Sequence, residues 1–406
     1  MLARVISVYP RLGKERTADS RSRILRERTS MKLNALIFCL GTLCIPLMAC
    51  QQTPPTATAS AASATQACDD LKIRNGNDFV STKVLLLSPT YDPTSGVGPA
   101  ASQIIGPVPS QYRNDLARAF TISPDFFKNQ LCSLTYVFVV QCSQNPCTAQ
   151  DALTHSWGMR EWKGAKSGEY TGISAALWQN TSSALGFESY RNMRLLLVLS
   201  TISGNANLPN TWQNSPRFSA RPNNKGEMSV LASLAHEAGH VLWYDKFVPF
   251  RGGDINLNNF CGGFYAPDSW TGIDIPNNRW LAFGDQLTNE VHKPDYLTPI
   301  KRDLMIGPNF PRAGDDLNTL FNDPGLTGTL ATVSPVEDFV ETYMLYVLLS
   351  SKESNIPQLQ NLWISITGSS QPHQHDIADL SNKPVLSSKM GCFAGSVANL
   401  RNMIGR

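Results

Sequence analysis

The sequence predicts an α+β fold, with a mixed β-sheet packed on one long helix and a mainly helical C-terminal half. Three observations carry this reading. Short apolar runs at Val84 to Leu87, Tyr136 to Val140 and Leu195 to Leu199 have the length and composition of buried strands, and all lie in the first half of the 406 residues. Farther on, Met228, Leu231, Leu234, Ala235, Ala238, Val241 and Leu242 recur at three- and four-residue intervals, which predicts a helix over about 228–247 with a buried face. Ser334 followed by Pro335 reads as a capping side chain and a first helical residue, and starts a second helix over about 335–350.

From the N-terminus, residues 1–30 are rich in Arg and fit neither a domain nor a leader, so a start codon assigned too early is the expectation. Residues 31–49 have a Lys near the start, a largely apolar core of about 15 residues and a small residue at the end, the pattern of a secretion signal too short to span a membrane. Leu47-Met48-Ala49-Cys50 resembles a bacterial lipobox, which implies acylation of Cys50 and a membrane anchor there. Gln51 after the Cys points to the outer membrane of the cell envelope. Residues 50–67, rich in Thr, Ala, Ser and Pro, read as the lipidated Cys and a flexible tether, and 68–406 as one domain.

Charge excludes one class of partner. The first 49 residues hold nine Lys or Arg and three Asp or Glu, so the net +3 of the whole chain becomes +3 − 6 = −3 once they are removed. Basicity belongs to the leader, and no nucleic-acid partner is expected. Six cysteines follow the tether, Cys68, Cys132, Cys142, Cys147, Cys261 and Cys392. In an oxidising compartment they allow up to three disulfides, with the pairing open. Gly172 to Trp178 is a candidate for a further strand. Val248 to Val333, rich in Gly, Pro, Asn and aromatic residues, reads as an irregular covering region that borders the functional cleft. Gln371 to Asp376, with His373 and His375, reads as a solvated loop, and Trp157, Trp162, Trp178 and Trp243 as core or cleft wall.

The chemistry concentrates in His236-Glu237-Ala238-Gly239-His240. Residues i and i+4 of a helix are neighbours, so His236 and His240 can turn ring nitrogens to one ion, while Glu237, about 100° around the helix, stands beside them as a general base for a water. Gly239 costs the helix about 1 kcal/mol relative to Ala, and the absent side chain leaves room for another segment to pack closely. Trp243 and Lys246 occupy the positions where a metzincin would carry its next Gly and His, so a third ligand must come from elsewhere. Glu337 and Glu341 share a face of the second helix and are the first candidates. Glu290 and His292 are the others, and Glu337 could instead close a capping box with Ser334.

With the His-Glu-x-x-His helix and the later Glu-x-x-x-Glu helix together, the chain resembles the gluzincin metallopeptidases, the group of thermolysin and of the anthrax lethal factor protease domain. The resemblance covers those two helices. It implies a zincin-like fold, a Zn2+ ion held by His236, His240 and Glu337, and Glu341 hydrogen-bonded to the far nitrogen of a ligand His. It further implies Glu237 as general base, and a peptide or protein substrate whose extended backbone pairs with an edge strand of the sheet. His292, Tyr296 and Tyr343 are candidates for steadying an oxyanion. The alternative is a non-catalytic binding or structural envelope lipoprotein on the same scaffold.

Overall fold

Alternating apolar residues of two of the predicted runs build the centre of the sheet. The computed structural model describes residues 66–147, most of 151–203, 217–220, 225–247, most of 299–351 and of 363–376, and Leu386, Met390 and Phe393. All belong to Ala62–Arg406, one of the two units into which the chain divides. The leader, Cys50 and the tether up to residue 65 lie outside the described residues, as do Cys261, Glu290, His292, Tyr296, Ser334, His373, Cys392 and Trp162.

The chain begins with α1 (Gln66–Asp70) and α2 (Gly76–Lys83), the latter capped by the Asn75 side chain, which accepts hydrogen bonds from the backbone N–H groups of Asn77 and Asp78. Then come β1 (Val84–Leu87), β2 (Ile104–Pro107), α3 (Ser110–Ile122), α4 (Asp125–Ser133), β3 (Tyr136–Val140), β4 (Trp157–Arg160) and β5 (Glu169–Ser174). The five strands form one sheet in the order β2-β1-β3-β5-β4. The inner strands run parallel, with Leu85 opposite Phe138 and Val139 opposite Ile173. Both outer strands are antiparallel, so the sheet is mixed.

Strand alternation then sorts the side chains. Val84, Leu86, Val137, Val139 and Ile173 enter the main core with the helices, while Leu87, Phe138, Val140, Trp157 and Met159 form a second apolar layer with Tyr91. Gly158, between Trp157 and Met159, therefore faces the helices. Two disulfides join Cys68 to Cys132 and Cys142 to Cys147, the first tying α1 to α4.

The rest of the described chain adds α5 (Phe187–Ser203), β6 (Arg217–Ala220), α6 (Gly226–Phe247), α7 (Phe310–Phe321), α8 (Pro335–Leu349), β7 (Trp363–Thr367) and β8 (Gln374–Asp376). The long helix α6 is buried along most of its length and packs on α8, β4, β5, α3 and α5. Among the described residues, no helix is long and apolar enough to cross a membrane.

Five expectations are corrected. Leu195 to Leu199 is the middle of α5: Leu is a good helix former, and Phe187, Tyr190, Arg191, Arg194, Leu195 and Val198 lie at helical spacing, so the run is one stretch of a longer helix. Gly172 to Trp178 is strand only to Ser174 and then a 3-10 turn in which the Ala176 N–H donates to the Ser174 side chain. It is also internal to the sheet, and among the described residues the edge beside α6 is β4. The region Val248 to Val333 is not irregular throughout, since α7 occupies Phe310–Phe321, with Asn309 as cap and Pro311 in the first turn. The C-terminal half carries a second sheet, β6-β7-β8, antiparallel throughout. Gln374 to Asp376 is a strand of that sheet, and His375 is buried there, its Nε2 3.0 Å from Asn318 Oδ1.

Candidate metal centre

Helix α6 holds His236 and His240 one turn apart on one face, with ring centroids 5.1 Å apart and the rings nearly edge to face. Gly239 eases the approach of α8 to that face. A Cβ built there would lie 3.3 Å from both Tyr343 Cδ1 and Val340 Cγ1, closer than packed carbons prefer, so the bare glycine sets how near the two helices come. On the opposite flank Gly158 does the same for β4. A Cβ there would fall 1.8 Å from the Glu237 carbonyl oxygen and 2.9 Å from His240 Cβ, and the strand can touch the motif helix only because position 158 has no side chain.

This packing carries Glu337 to the histidines. Its carboxylate oxygens lie 3.5 Å from His236 Nε2 and 3.6 Å from His240 Nε2. One donor atom from each of the three residues falls within 4.8 Å of the others. Two imidazoles and a carboxylate this close could hold a metal ion, and the Glu337–histidine separations lie near the about 3.3 to 3.4 Å between ligand atoms of a four-coordinate ion with bonds of about 2.0 to 2.1 Å.

Glu341 follows one turn later, and its Oε1 is 2.9 Å from His236 Nδ1, the ring nitrogen turned away from Glu337. Partners of this kind fix which nitrogen of a ligand His keeps its proton. Behind Glu341 stands Arg194 of α5, its Nη2 2.8 Å from the same Oε1 and 3.1 Å from His236 Nδ1, and its Nη1 2.9 Å from the Tyr190 hydroxyl.

Electrostatics follow from burial. The His236 imidazole is pushed down to about 4 by burial and then by Arg194, and His240 well below its ordinary value by burial, His236 and Arg194. Both rings are neutral at pH 7, the state a metal ligand requires. Burial, reinforced by Glu341, raises Glu337 to about 7, and burial raises Glu237 well above the usual carboxylate range. Glu341 differs: burial would raise it too, but Arg194, the hydrogen bond with His236 and Arg191 hold it down at about 2. Glu237, Glu337 and Glu341 thus share the centre with Arg191 and Arg194, and a cation beside Glu337 would draw that carboxylate back toward its charged form.

Tyr343 lies in the core. Its hydroxyl donates to Gln130 Oε1, its ring packs near Phe127 and Phe393, and burial raises its pKa. Gln130 in turn donates to the Ala238 carbonyl, 2.9 Å away, so α4 is stapled to the middle of the motif. Trp157, Trp178 and Trp243 are likewise core. Arg194, Arg191, Gln130 and Gly158 are the participants that motif spacing alone does not identify. The usable signal is the helical spacing of Tyr190, Arg191 and Arg194. No protein-family model, curated protein or solved structure matches the chain.

Proposed function

We propose that this chain is a zinc-dependent metallopeptidase of zincin-like fold, anchored to the bacterial envelope as an outer-membrane lipoprotein through Cys50. The observation that carries the reading is the convergence of His236 and His240 from α6 with Glu337 from α8. A zinc ion held there would lower the pKa of a water toward about 7 and polarise a scissile carbonyl. His236 and His240 offer neutral nitrogens and Glu337 a carboxylate, while Glu341 keeps the His236 proton on Nδ1 and so leaves the lone pair for ligation on Nε2, the nitrogen nearer Glu337. Glu237, adjacent to His236 in the motif, takes the proton from the attacking water and returns it to the leaving amine. Strand β4 ends the sheet beside Glu237 and His240, and an extended peptide aligned on it would lie next to these groups.

The test is hydrolysis of a mixed peptide pool by the full chain and by Glu237→Gln, each with its zinc content measured. The account expects both proteins to bind one zinc and the variant to lose at least about a hundredfold in turnover. Undiminished turnover in the variant removes Glu237 from the reaction, and absence of bound zinc in the wild type removes the metal. Anchoring is tested separately. Cys50→Ser should leave the membrane fraction and lose labelling by a fatty-acid analogue, and a variant still labelled and membrane-bound contradicts the lipid anchor.

A further inference from the structure

We propose that Arg194 is a positioning residue of the metal centre, acting through Glu341 to fix the orientation of His236. The inference rests on the metal reading given above. Arg194 lies in α5, outside both motif helices, yet it reaches between them. One oxygen, Glu341 Oε1, receives Arg194 Nη2 at 2.8 Å and His236 Nδ1 at 2.9 Å, and the same Arg194 nitrogen stands 3.1 Å from Nδ1 and 3.4 Å from Nε2 of the His236 ring. Because both donors converge on the same atom, moving the guanidinium moves the acceptor on which the imidazole is hung.

Arg194 is itself held in place. Its Nη1 donates to the Tyr190 hydroxyl at 2.9 Å, one turn earlier on α5, and lies 3.8 Å from Met344 Sδ. The carboxylate is therefore set from the α5 side, and His236 is set by the carboxylate. A charged, planar guanidinium suits this task because one group donates to Glu341 and Tyr190 from a rigid fork, which a Lys ammonium cannot reproduce.

Such outer partners change metal affinity by about 10- to 100-fold when removed. The experiment uses cobalt(II) as the probe ion, titrated into the full chain in detergent after chelator treatment, and reads both affinity and the visible absorption of the bound ion. Wild type, Arg194→Met, Glu341→Gln and the double variant are compared, with folding followed by circular dichroism. Arg194→Met should weaken cobalt binding about 10- to 100-fold and alter the absorption bands. In the Glu341→Gln background the same substitution should change affinity less than about threefold, because the charged acceptor that draws the guanidinium and the imidazole together is gone. An arginine that is merely structural, or that acts on His236 by its direct contact alone, would weaken binding equally in both backgrounds, and that outcome overturns the proposal. So does wild-type affinity with an unchanged spectrum in Arg194→Met. Should Arg194→Met not fold, Arg194→Lys closes the same cycle: a loss of affinity present with Glu341 and absent in the Glu341→Gln background supports the assignment, and equal effects reject it. A wild-type chain that binds no cobalt and no zinc overturns the metal reading itself, which separates that failure from the failure of Arg194.

Discussion

His236 and His240 come from adjacent turns of one helix, yet they occupy different surroundings. The His236 side chain is 6 % exposed and is backed by Glu341 and Arg194. That of His240 is 17 % exposed and faces Glu337, itself 22 % exposed, with the bare backbone of Gly158 at its base. The centre thus has a back where Glu341 and Arg194 hold the His236 ring by polar contacts, and a front where the His240 and Glu337 side chains are more exposed. Order on one side and access on the other come from the same five residues because neighbouring elements differ: α5 and α8 cover the back, and an edge strand without a side chain at position 158 borders the front.

Gly158→Ala should break the comparison most strongly. The new Cβ overlaps backbone, the Glu237 carbonyl, so β4 must move off α6, and the front of the site opens at a cost of about 3 kcal/mol in denaturant unfolding. A variant as stable as wild type would show that the strand does not bear on the helix. His236→Ala comes next. It removes a buried ring from between charged neighbours and should cost about 2 kcal/mol in the metal-free chain, whereas His240→Ala should cost less than about 1 kcal/mol, as a more exposed site allows. Equal losses would erase the distinction between back and front. Zinc at a hundredfold excess over Kd should add about 2.7 kcal/mol to wild-type stability and nothing to either His variant.

The smallest effect is expected at Gly239. Alanine gains about 1 kcal/mol in helix propensity but crowds Tyr343 and Val340 at 3.3 Å, so Gly239→Ala should shift stability by less than about 1 kcal/mol in either direction. A larger loss would mean that α8 cannot give even a few tenths of an ångström, and would mark this contact as the tightest constraint on Glu337.

What is legible in the sequence is local. The spacing of His236 and His240, and of Glu337 and Glu341, is set within single helices, and periodicity locates both helices to within two residues of α6 and α8. The strands β1 and β3 match their apolar runs end to end, because parallel inner strands are buried on both faces and read as unbroken apolar runs. Arg194 is hidden for the opposite reason. It meets Glu341 across 147 positions of chain, and the Leu-rich run that follows it reads equally well as strand or helix when its amphipathic context is ignored. Gly158 carries no pattern at all, since a small residue in a short strand acquires its meaning only when a helix lies against it. His375 reads as a loop residue because its Pro and Gln neighbours suggest one, while the pairing that buries it comes from β7.

The central claim, that His236, His240 and Glu337 hold one ion, is tested most directly by X-ray absorption at the zinc edge on the full chain loaded with one equivalent of zinc. One zinc per chain is expected, with two imidazoles and at least one oxygen at about 2.0 to 2.1 Å, and the double variant His236→Ala, His240→Ala should lose the imidazole signature together with the bound ion. Zinc retained with an unchanged spectrum in that double variant would contradict it.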